Sequence, residues 1–330
     1  MSKINFKKLS WIEKMNYLGQ RKKPFIFILD FELKKPLIYT TDRIPNNIYY
    51  KFNDIKNYQL HGEKSKKLQF EILPVEFEIY SRAYHQVLKE IQFGNSFLLN
   101  LTFPTEIKTN YTLKELFDIS HAKYKLYYND GFIVSSPEIF VQIKGNKIYT
   151  FPMKGTIDAS APDAENVILH DAKETAEHFT IVDLLRNDLS IISKNVRVNK
   201  FRYIETLTTH EKTLLQVSSE IEGTLDDEYH SHLGDIFNAL LPAGSISGAP
   251  KKKTIQIIKE IETVNRGYYT GVFGIFDGNN VDSAVMIRFI EKSGSKLWYR
   301  SGCGITNMSE CTAEYKEMID KVYVPVGRKH

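Results

Sequence analysis

The chain has 330 residues, which is enough for about two domains with their own hydrophobic cores and excludes a small scaffold that depends on disulfides. Hydrophobic residues make up 42% and charged residues 25%, as in folded globular proteins, so the composition excludes a disordered, collagen-like or low-complexity chain. The formal net charge of +4 is too small to indicate a nucleic-acid partner.

The amino-terminal part of the chain carries no signal for export or membrane insertion. Its longest uncharged apolar run, residues 25–29, is far shorter than a bilayer span, and residues 1–10 are polar and basic. Cys303 and Cys311 have neither CxxC spacing nor a histidine pair nearby, so we expect two free thiols. These features predict a cytoplasmic protein with no membrane partner.

The chain divides near residue 75. Residues 1–75 contain one strand candidate, residues 24–30, followed by a tract rich in Lys, Asn and Tyr with turn signals. We expect this segment to be a short N-terminal region that completes a sheet, and residues 76–330 to form the main domain. That domain begins with apolar residues at helical spacing over 77–92, which predict an amphipathic helix.

Strands and helices then follow in two groups. The patterning predicts strands over 97–103, 132–134, 139–143 and 147–151, a loop over 152–156, a helix over 172–189, strands over 272–276, 281–290 and 297–300, and a helix over 310–322. Hairpins at both ends with helices between them predict an α+β fold of antiparallel sheets with helices packed outside.

A run of small residues over 241–251 leads into an apolar-periodic helix. Ser247 or Gly248 can cap that helix and Pro250 suits its start, so this segment, with Ala249, offers backbone amides at a helix N-terminus. Such amides attract anions. A tight structural turn is the alternative interpretation.

Two helices carry acidic faces. Glu174 and Glu177 are three positions apart, and Glu310, Glu314 and Glu317 share a face of the late helix. Like charges at this spacing destabilise a helix by about 0.2–0.5 kcal/mol per pair unless they are solvated or neutralised. A divalent cation would neutralise them, and a set of carboxylates favours Mg²⁺ or Mn²⁺ over Zn²⁺. A solvated acidic face is the alternative.

Two basic residues are candidates for chemistry or binding. Lys154 lies on the predicted loop between Pro152 and Gly155, and it could act as a nucleophile only if burial or a nearby cation lowers its pKa; otherwise it is a surface charge. Arg288 lies within the predicted apolar strand 281–290, so it must pair with a carboxylate, either from the protein or from a ligand.

In combination, these motifs resemble those of the chorismate-using enzymes, which include anthranilate, isochorismate and aminodeoxychorismate synthases. The similarity extends over residues 76–325, and the matching segments occur in family order at 136–138, 173–189, 244–251, 266–271, 287–288, 302–305 and 314–321. The resemblance implies a sandwich of antiparallel sheets with outer helices, as in anthranilate synthase component I, and makes 76–330 a chorismate-binding catalytic domain.

Two positions indicate a branch of this family. Lys154 resembles the lysine of the aminodeoxychorismate synthase component I branch, where anthranilate synthases carry a small residue, and Leu98 replaces the water-activating lysine of isochorismate synthases. The resemblance therefore implies synthesis of 4-amino-4-deoxychorismate for p-aminobenzoate and folate. Anthranilate synthase component I and a non-catalytic protein that binds chorismate or another anion are the alternatives.

The resemblance also implies roles for individual residues. Lys154 would form a covalent intermediate with chorismate, and Glu138 would be the general acid. The Mg²⁺ ligands would be Glu177 and Glu317, supported by Glu174 and Glu314. The substrate-binding residues carried over are Ser247, Gly248, Ala249, Tyr269, Arg288, Gly304 and Lys321. Gln216 stands where relatives commonly have a histidine. No glutaminase triad is recognisable, so the resemblance implies ammonia supplied by a separate glutamine amidotransferase subunit.

Overall fold

The computed structural model describes residues 6–59, 66–208 and 213–326, which form both helices and strands. The helices are α1 Trp11–Gln20, α2 Phe77–Gln92, α3 Leu113–Ile119, α4 Ala164–His170, α5 Ala172–Ile192, α6 Leu233–Leu240, α7 Gly244–Ser247, α8 Lys251–Ile261 and α9 Cys311–Asp320. The strands are β1 Phe25–Leu29, β2 Leu37–Thr40, β3 Ile48–Phe52, β4 Ile55–Lys56, β5 Phe70–Leu73, β6 Leu98–Thr109, β7 Tyr124–Tyr128, β8 Phe132–Ser136, β9 Ile139–Lys144, β10 Lys147–Thr150, β11 Met153–Asp158, β12 Lys194–Thr208, β13 Thr213–Thr224, β14 Gly248–Ala249, β15 Val272–Phe276, β16 Val281–Val285, β17 Phe289–Ser293 and β18 Lys296–Ile305.

These strands form two antiparallel sheets. The first has the order β11-β13-β10-β9-β16-β15-β1-β2, with β12 also paired to β13. The second has the order β14-β6-β18-β17-β8-β7-β3-β4, with β5 also paired to β6. The predicted α+β class with antiparallel sheets is therefore confirmed.

The two sheets pack face to face with helices outside them. Alternate residues of β1 show this arrangement, because successive side chains of a strand point to opposite faces. Ile26 and Ile28 pack into the core shared with strands of the second sheet, and Phe25 and Phe27 pack outward. The Phe27 ring lies 4.6 Å from that of Phe237 on α6. On the far side, α2, α8 and α9 cover β6 and β18.

The N-terminal segment contributes strands to both sheets. β1 lies between β15 and β2 in the first sheet, and β3 pairs with β7 in the second. The division into residues 1–75 and 76–330 stays a prediction. None of the helices in the described ranges is long and apolar enough to cross a lipid bilayer.

Several predicted elements match their observed bounds, and two are wrong. The helix over 77–92 and the strand over 272–276 are confirmed, and α5 continues three residues past the predicted end. The predicted strand over 281–290 is two strands, because β16 belongs to the first sheet and β17 to the second. Arg288 lies in the connection with φ at 50°, so it is not within a strand.

The predicted loop over 152–156 is also wrong. Residues Met153–Asp158 form β11, which pairs with β13 and is irregular between Lys154 and Thr156. Gly155 has φ at 78°, a conformation that L side chains rarely adopt. Lys154 is therefore held on a sheet edge, where its side chain has a defined direction. The long β12–β13 hairpin was not predicted.

Candidate active site

A cavity of about 870 Å³ is lined by the edge of the first sheet that contains β11 and by the edge of the second sheet that contains β14. The first sheet contributes β11 and β13, the second contributes β6, β14 and β18, and α5 and α9 provide further walls. Ten of the thirteen predicted site residues line it: Glu138, Lys154, Glu174, Glu177, Gly248, Tyr269, Arg288, Gly304, Glu317 and Lys321. Ser247, Ala249 and Glu314 are not among the lining residues.

Lys154 and Glu177 form an ion pair in this cavity. The Nζ atom lies 2.9 Å from Glu177 Oε2, and the side chains are 23% and 7% exposed. Burial disfavours the ammonium and by itself would lower the pKa of Lys154. The carboxylates of Glu177, Glu174 and Glu317 outweigh burial, so the pKa of Lys154 lies above the ordinary value for lysine. Without a ligand, the amine is held as a cation.

Hydrogen bonds from β13 align the two partners. The backbone N–H of Ser219 donates to the carbonyl of Pro152 at 3.0 Å, two residues before Lys154. The Ser219 hydroxyl lies 2.7 Å from Nε2 of His178, which follows Glu177 on α5, and it accepts the backbone N–H of Arg202 at 2.9 Å. His178 is thus a buried structural histidine, and it fixes the end of α5 that carries Glu177.

Glu138 lies between β8 and β9 and reaches the same cavity. Its Oε1 accepts a hydrogen bond from the Ser245 hydroxyl at 2.7 Å. Burial raises the pKa of Glu138, and the effect exceeds the opposing influences of that hydrogen bond and of Lys154, Arg288 and Lys321. A raised pKa favours the protonated carboxyl group, which is the form that a general acid needs.

The acidic residues approach the cavity from two helices. Glu174 and Glu177 lie on one face of α5, and Glu317 reaches in from α9. Their oxygens are the ligand type that Mg²⁺ prefers, and the Lys154 ammonium already occupies a cation position beside them. The chemistry of these donors suits a hard divalent cation, and Mg²⁺ binding here stays a prediction. Among the described residues, no three carboxylate, imidazole or thiol groups converge as a preassembled metal cluster. Glu314 is buried on α9 with 1% exposure.

Two cationic side chains, Arg288 and Lys321, also line the cavity. The Arg288 guanidinium lies 5.0 Å from the ring centre of Tyr323, and no ion pair joins it to a carboxylate within the described ranges. Lys321 Nζ donates to the carbonyl of Gly302 at 3.1 Å and pairs with Glu317 at 2.7 Å. The partners found for Arg288 are tyrosines, and its pairing with a ligand carboxylate stays a prediction.

Residues 241–251, the segment of small residues, mainly form hydrogen bonds and strand pairs with the protein itself. The Ser247 hydroxyl donates to the carbonyl of Ala243 at 2.8 Å, and Ala249 pairs with Leu98 in the β14–β6 ladder. A side chain at Gly248 would meet the carbonyl oxygen of Leu98 at 1.9 Å, so this position requires glycine. The binding roles of Ser247 and Ala249 stay predictions.

Some lining residues were missed as site candidates. Asn100, Arg300 and Ser301 line the cavity, as does Gln216, whose side-chain oxygen is buried without a hydrogen-bond partner in the described ranges. Asn100 and Ser301 are uncharged and belong to strands whose pattern marks only sheet core. The one available signal was the departure from the family histidine at Gln216.

Comparison with known proteins identifies what this architecture resembles. The family profile described as chorismate binding enzyme matches residues 31–326. An uncharacterized PabA-like protein of Pasteurella multocida is 49% identical over 96% of this chain and 99% of its own length. Aminodeoxychorismate synthase component 1 of Bacillus subtilis is 33% identical over 74% of this chain and 54% of its own length.

Solved structures show the same fold. Anthranilate synthase component I of Streptococcus pneumoniae superposes with a TM-score of 0.66 and 28% identity over 77% of this chain and 58% of its own. The 2,3-dihydroxybenzoate-specific isochorismate synthase DhbC of Bacillus anthracis superposes with a TM-score of 0.70 and 20% identity over 95% of this chain and 88% of its own.

Proposed function

This chain belongs to the chorismate-binding enzyme family, and we propose that within the family it is an aminodeoxychorismate synthase component I. It would act as a transferase that converts chorismate and ammonia to 4-amino-4-deoxychorismate, for p-aminobenzoate and folate. The observation that carries the proposal is the position of Lys154, whose amine projects into the cavity and contacts Glu177 at 2.9 Å. Both side chains of this pair are largely withdrawn from solvent, unlike the exposed ion pairs of the surface lysines Lys23 and Lys292.

The residue at position 98 supports the same branch. Leu98 lines the cavity, and its Cδ1 would lie 3.0 Å from a side chain placed at Gly304. An apolar side chain there cannot activate a water molecule, so the amine of Lys154 is the nucleophile that this cavity offers. Attack by water at the same substrate carbon, which would give isochorismate, is therefore disfavoured.

The proposed reaction has two displacement steps. The neutral amine of Lys154 forms a bond to C2 of chorismate, the ring double bond shifts, and the C4 hydroxyl leaves as water after accepting a proton from Glu138. Ammonia then bonds to C4, the double bond shifts back, and the C2–N bond to Lys154 breaks. The net reaction consumes one ammonia and releases one water.

Lys154 must lose its proton before it attacks. Bound Mg²⁺ would supply positive charge that neutralises the carboxylates of Glu174, Glu177 and Glu317 and the ring carboxylate of chorismate. With those carboxylates neutralised, burial is the remaining influence on Lys154, and burial favours the neutral amine. Tyr269, Arg288 and Lys321, which line the same cavity, would bind the second carboxylate of the substrate.

Ammonia would come from a separate glutamine amidotransferase subunit or from ammonium salts, and we place the protein in the cytoplasm. The B. subtilis relative is named as a component 1, which supports a two-component system. Pyruvate elimination to p-aminobenzoate would be carried out by a separate lyase.

Anthranilate synthase component I is the second candidate. Such an enzyme from Neisseria meningitidis is 35% identical over 62% of this chain, so overall identity does not separate the two activities. The site does favour one of them, because an anthranilate synthase needs no amine at position 154. A non-catalytic protein that binds chorismate or another anion is the third reading of the same cavity.

Product analysis tests the proposal. The protein is incubated with chorismate, Mg²⁺ and ammonium salt, and products are separated with and without added aminodeoxychorismate lyase. Aminodeoxychorismate, convertible to p-aminobenzoate by the lyase, is the expected product. Anthranilate would establish the second candidate, and chorismate that is bound but unchanged would establish the third.

A mass measurement tests the covalent step. With chorismate and Mg²⁺ but no ammonia, the peptide that contains Lys154 should gain the mass of chorismate less one water. Lys154→Ala should lose this increment, whereas Lys316→Ala, which changes an exposed lysine at the edge of the same cavity, should keep it. An increment that persists in Lys154→Ala contradicts the mechanism.

A further inference from the structure

The segment 321–326 runs from the end of α9 to the connection between α3 and β7. Val322 and Val324 are buried in the hydrophobic cluster that includes residues of α3. Farther along, the carbonyl of Pro325 accepts the backbone N–H of His121 at 2.6 Å. The segment is therefore fixed to α3 and to the second sheet.

Two other side chains of this segment contact the walls of the cavity. Lys321 Nζ donates to the carbonyl of Gly302 at 3.1 Å. The ring centre of Tyr323 lies 5.0 Å from the guanidinium of Arg288, which lines the cavity. Tyr323 is not a lining residue and is 44% exposed, so it meets Arg288 from outside the cavity.

The direction of the Arg288 side chain depends on its tyrosine neighbours. Arg288 has φ at 50°, and its carbonyl accepts the backbone N–H of Ser135 at 3.2 Å. These features fix the main chain but leave the long side chain to be fixed by other contacts. The guanidinium interacts with the ring and hydroxyl of Tyr323 and with the buried Tyr269 and Tyr299. Tyr323 is the exposed member of this set, so it can be changed without opening the core.

We propose that Tyr323 is a positioning residue, which holds the guanidinium of Arg288 in the direction from which it pairs with a ligand carboxylate. The inference rests on the proposed function, in which Arg288 binds the second carboxylate of chorismate. Tyr323 does not contact the substrate in this scheme. A guanidinium that is oriented before the substrate arrives loses less conformational freedom on binding, and the affinity is higher for that reason.

A double-mutant cycle tests this role. Dissociation constants for chorismate are measured by calorimetry with Mg²⁺ in the Lys154→Ala background, where no adduct forms. Adding Arg288→Ala should weaken binding about tenfold or more, because the pair with the carboxylate is lost. Adding Tyr323→Leu instead should weaken binding about fivefold. Adding both should give the affinity of Arg288→Ala alone to within about twofold, because Tyr323 acts only through Arg288.

A second tyrosine with the same kind of contact is the control. On α1 the guanidinium of Arg21 lies 3.7 Å from the ring centre of Tyr17, and neither residue lines the cavity. Tyr17→Leu should leave the dissociation constant within about twofold of its parent. Tyr323→Phe keeps the ring and removes only the hydroxyl, so it should weaken binding less than Tyr323→Leu does, and only when Arg288 is present. Denaturant unfolding of each variant verifies that it is folded before binding is measured.

Three results would overturn the inference, and none of them is a failure of the proposed function. Equal losses from Tyr323→Leu with and without Arg288 would mean that the tyrosine acts independently of the guanidinium. Unchanged binding in Tyr323→Leu would mean that Arg288 is oriented without it, and unchanged binding in Arg288→Ala would mean that the guanidinium does not bind the ligand. If the unmodified protein still forms aminodeoxychorismate, the function stands in each case. If it neither binds nor converts chorismate, the function and the role of Tyr323 fall together.

Discussion

The Nζ atom of Lys154 on β11 lies 2.9 Å from Oε2 of Glu177 on α5, which places the proposed nucleophile in contact with a proposed metal ligand. The same carboxylate therefore has two possible cationic partners, the ammonium and a metal ion. While Glu177 pairs with Lys154, the amine stays protonated and cannot attack. This arrangement links the nucleophilicity of Lys154 to what else is bound in the cavity.

The protonation of Lys154 can be measured directly. In protein treated with a chelator, competitive acetylation across a pH series should show Lys154 becoming reactive only above its ordinary pKa of 10.5. In Glu177→Gln, reactivity should begin at lower pH. Burial lowers the pKa of Lys154, and one of the carboxylates that raise it has been removed. Glu310→Gln, an exposed change outside the cavity, is the control. Full reactivity of wild-type Lys154 near pH 8 would contradict the ion pair.

The Mg²⁺ requirement should depend on glutamates from both helices. Glu177→Gln and Glu317→Gln should each raise the Mg²⁺ concentration needed for half-maximal activity more than tenfold, or ~1.4 kcal/mol. A chelator should abolish activity and added Mg²⁺ should restore it. Glu310→Gln should titrate like the wild type, and an unchanged titration in Glu177→Gln would remove that residue from the ligand set.

Glu138 should matter for turnover more than for binding. Glu138→Gln keeps the size of the side chain but cannot donate a carboxyl proton, so kcat should fall by about 10²-fold or more, with a small change in KM for chorismate. Steady-state kinetics at saturating Mg²⁺ and ammonium check this. A kcat within threefold of the wild type would assign proton transfer to another group.

The same substitution should increase stability at high pH. Burial raises the pKa of Glu138, so the folded state binds a proton more tightly than the unfolded state does. Stability is then lost as the pH rises from about 4.5 through the raised pKa, and Gln escapes this loss. Denaturant unfolding should show Glu138→Gln more stable than wild type at pH 8 and the difference shrinking below pH 4.5.

Gly304 keeps the space beside the ion pair open. A Cβ at this position would lie 3.6 Å from Lys154 Nζ and 3.8 Å from Glu177 Oε2, with the movable side chain of Leu98 at 3.0 Å. Gly304→Ala should therefore fold, with a stability change of no more than ~1 kcal/mol, and lose about tenfold or more in kcat/KM. Gly131→Ala, away from the cavity, should retain activity.

Sequence periodicity predicted the bounds of a segment well where the whole segment packs against one surface. The α2 helix keeps a single apolar face against β6 and β18, and its predicted bounds of 77–92 are confirmed. Residues 281–290 instead pass from the first sheet to the second, and an unbroken apolar run does not reveal where the chain changes sheets. Lys154 was placed on a loop because Pro152 and Gly155 flank it, whereas pairing to distant β13 makes the segment a strand.

Some residues of the candidate site could be predicted from the sequence and others could not. Charged residues at helical spacing were recognisable, and Glu174 and Glu177 do lie on one face of α5 toward the cavity. Asn100 and Ser301 could not be predicted as cavity residues. A small neutral residue in a strand can be assigned to a site only when its neighbours across the sheet are known. Strand pairing sets Asn100 opposite Gly304 and Ser301 opposite Phe103, which sequence spacing does not show.

The hydrogen bond between His178 and Ser219 predicts an acid-sensitive fold. The Ser219 hydroxyl accepts the backbone N–H of Arg202, so its own proton can donate to Nε2 of His178, which must then be unprotonated. Burial, with smaller effects of Arg202 and Lys154, lowers the pKa of His178 to about 4. Since the unfolded state takes up a proton near pH 6.5, stability should fall between pH 6.5 and about 4 by about 3 kcal/mol.

His178→Gln should flatten this part of the profile in denaturant unfolding with chelator present, and the exposed change His85→Gln controls for the loss of one imidazole. A wild-type profile that is level across this range would show that His178 takes up its proton in the folded state as readily as in the unfolded one.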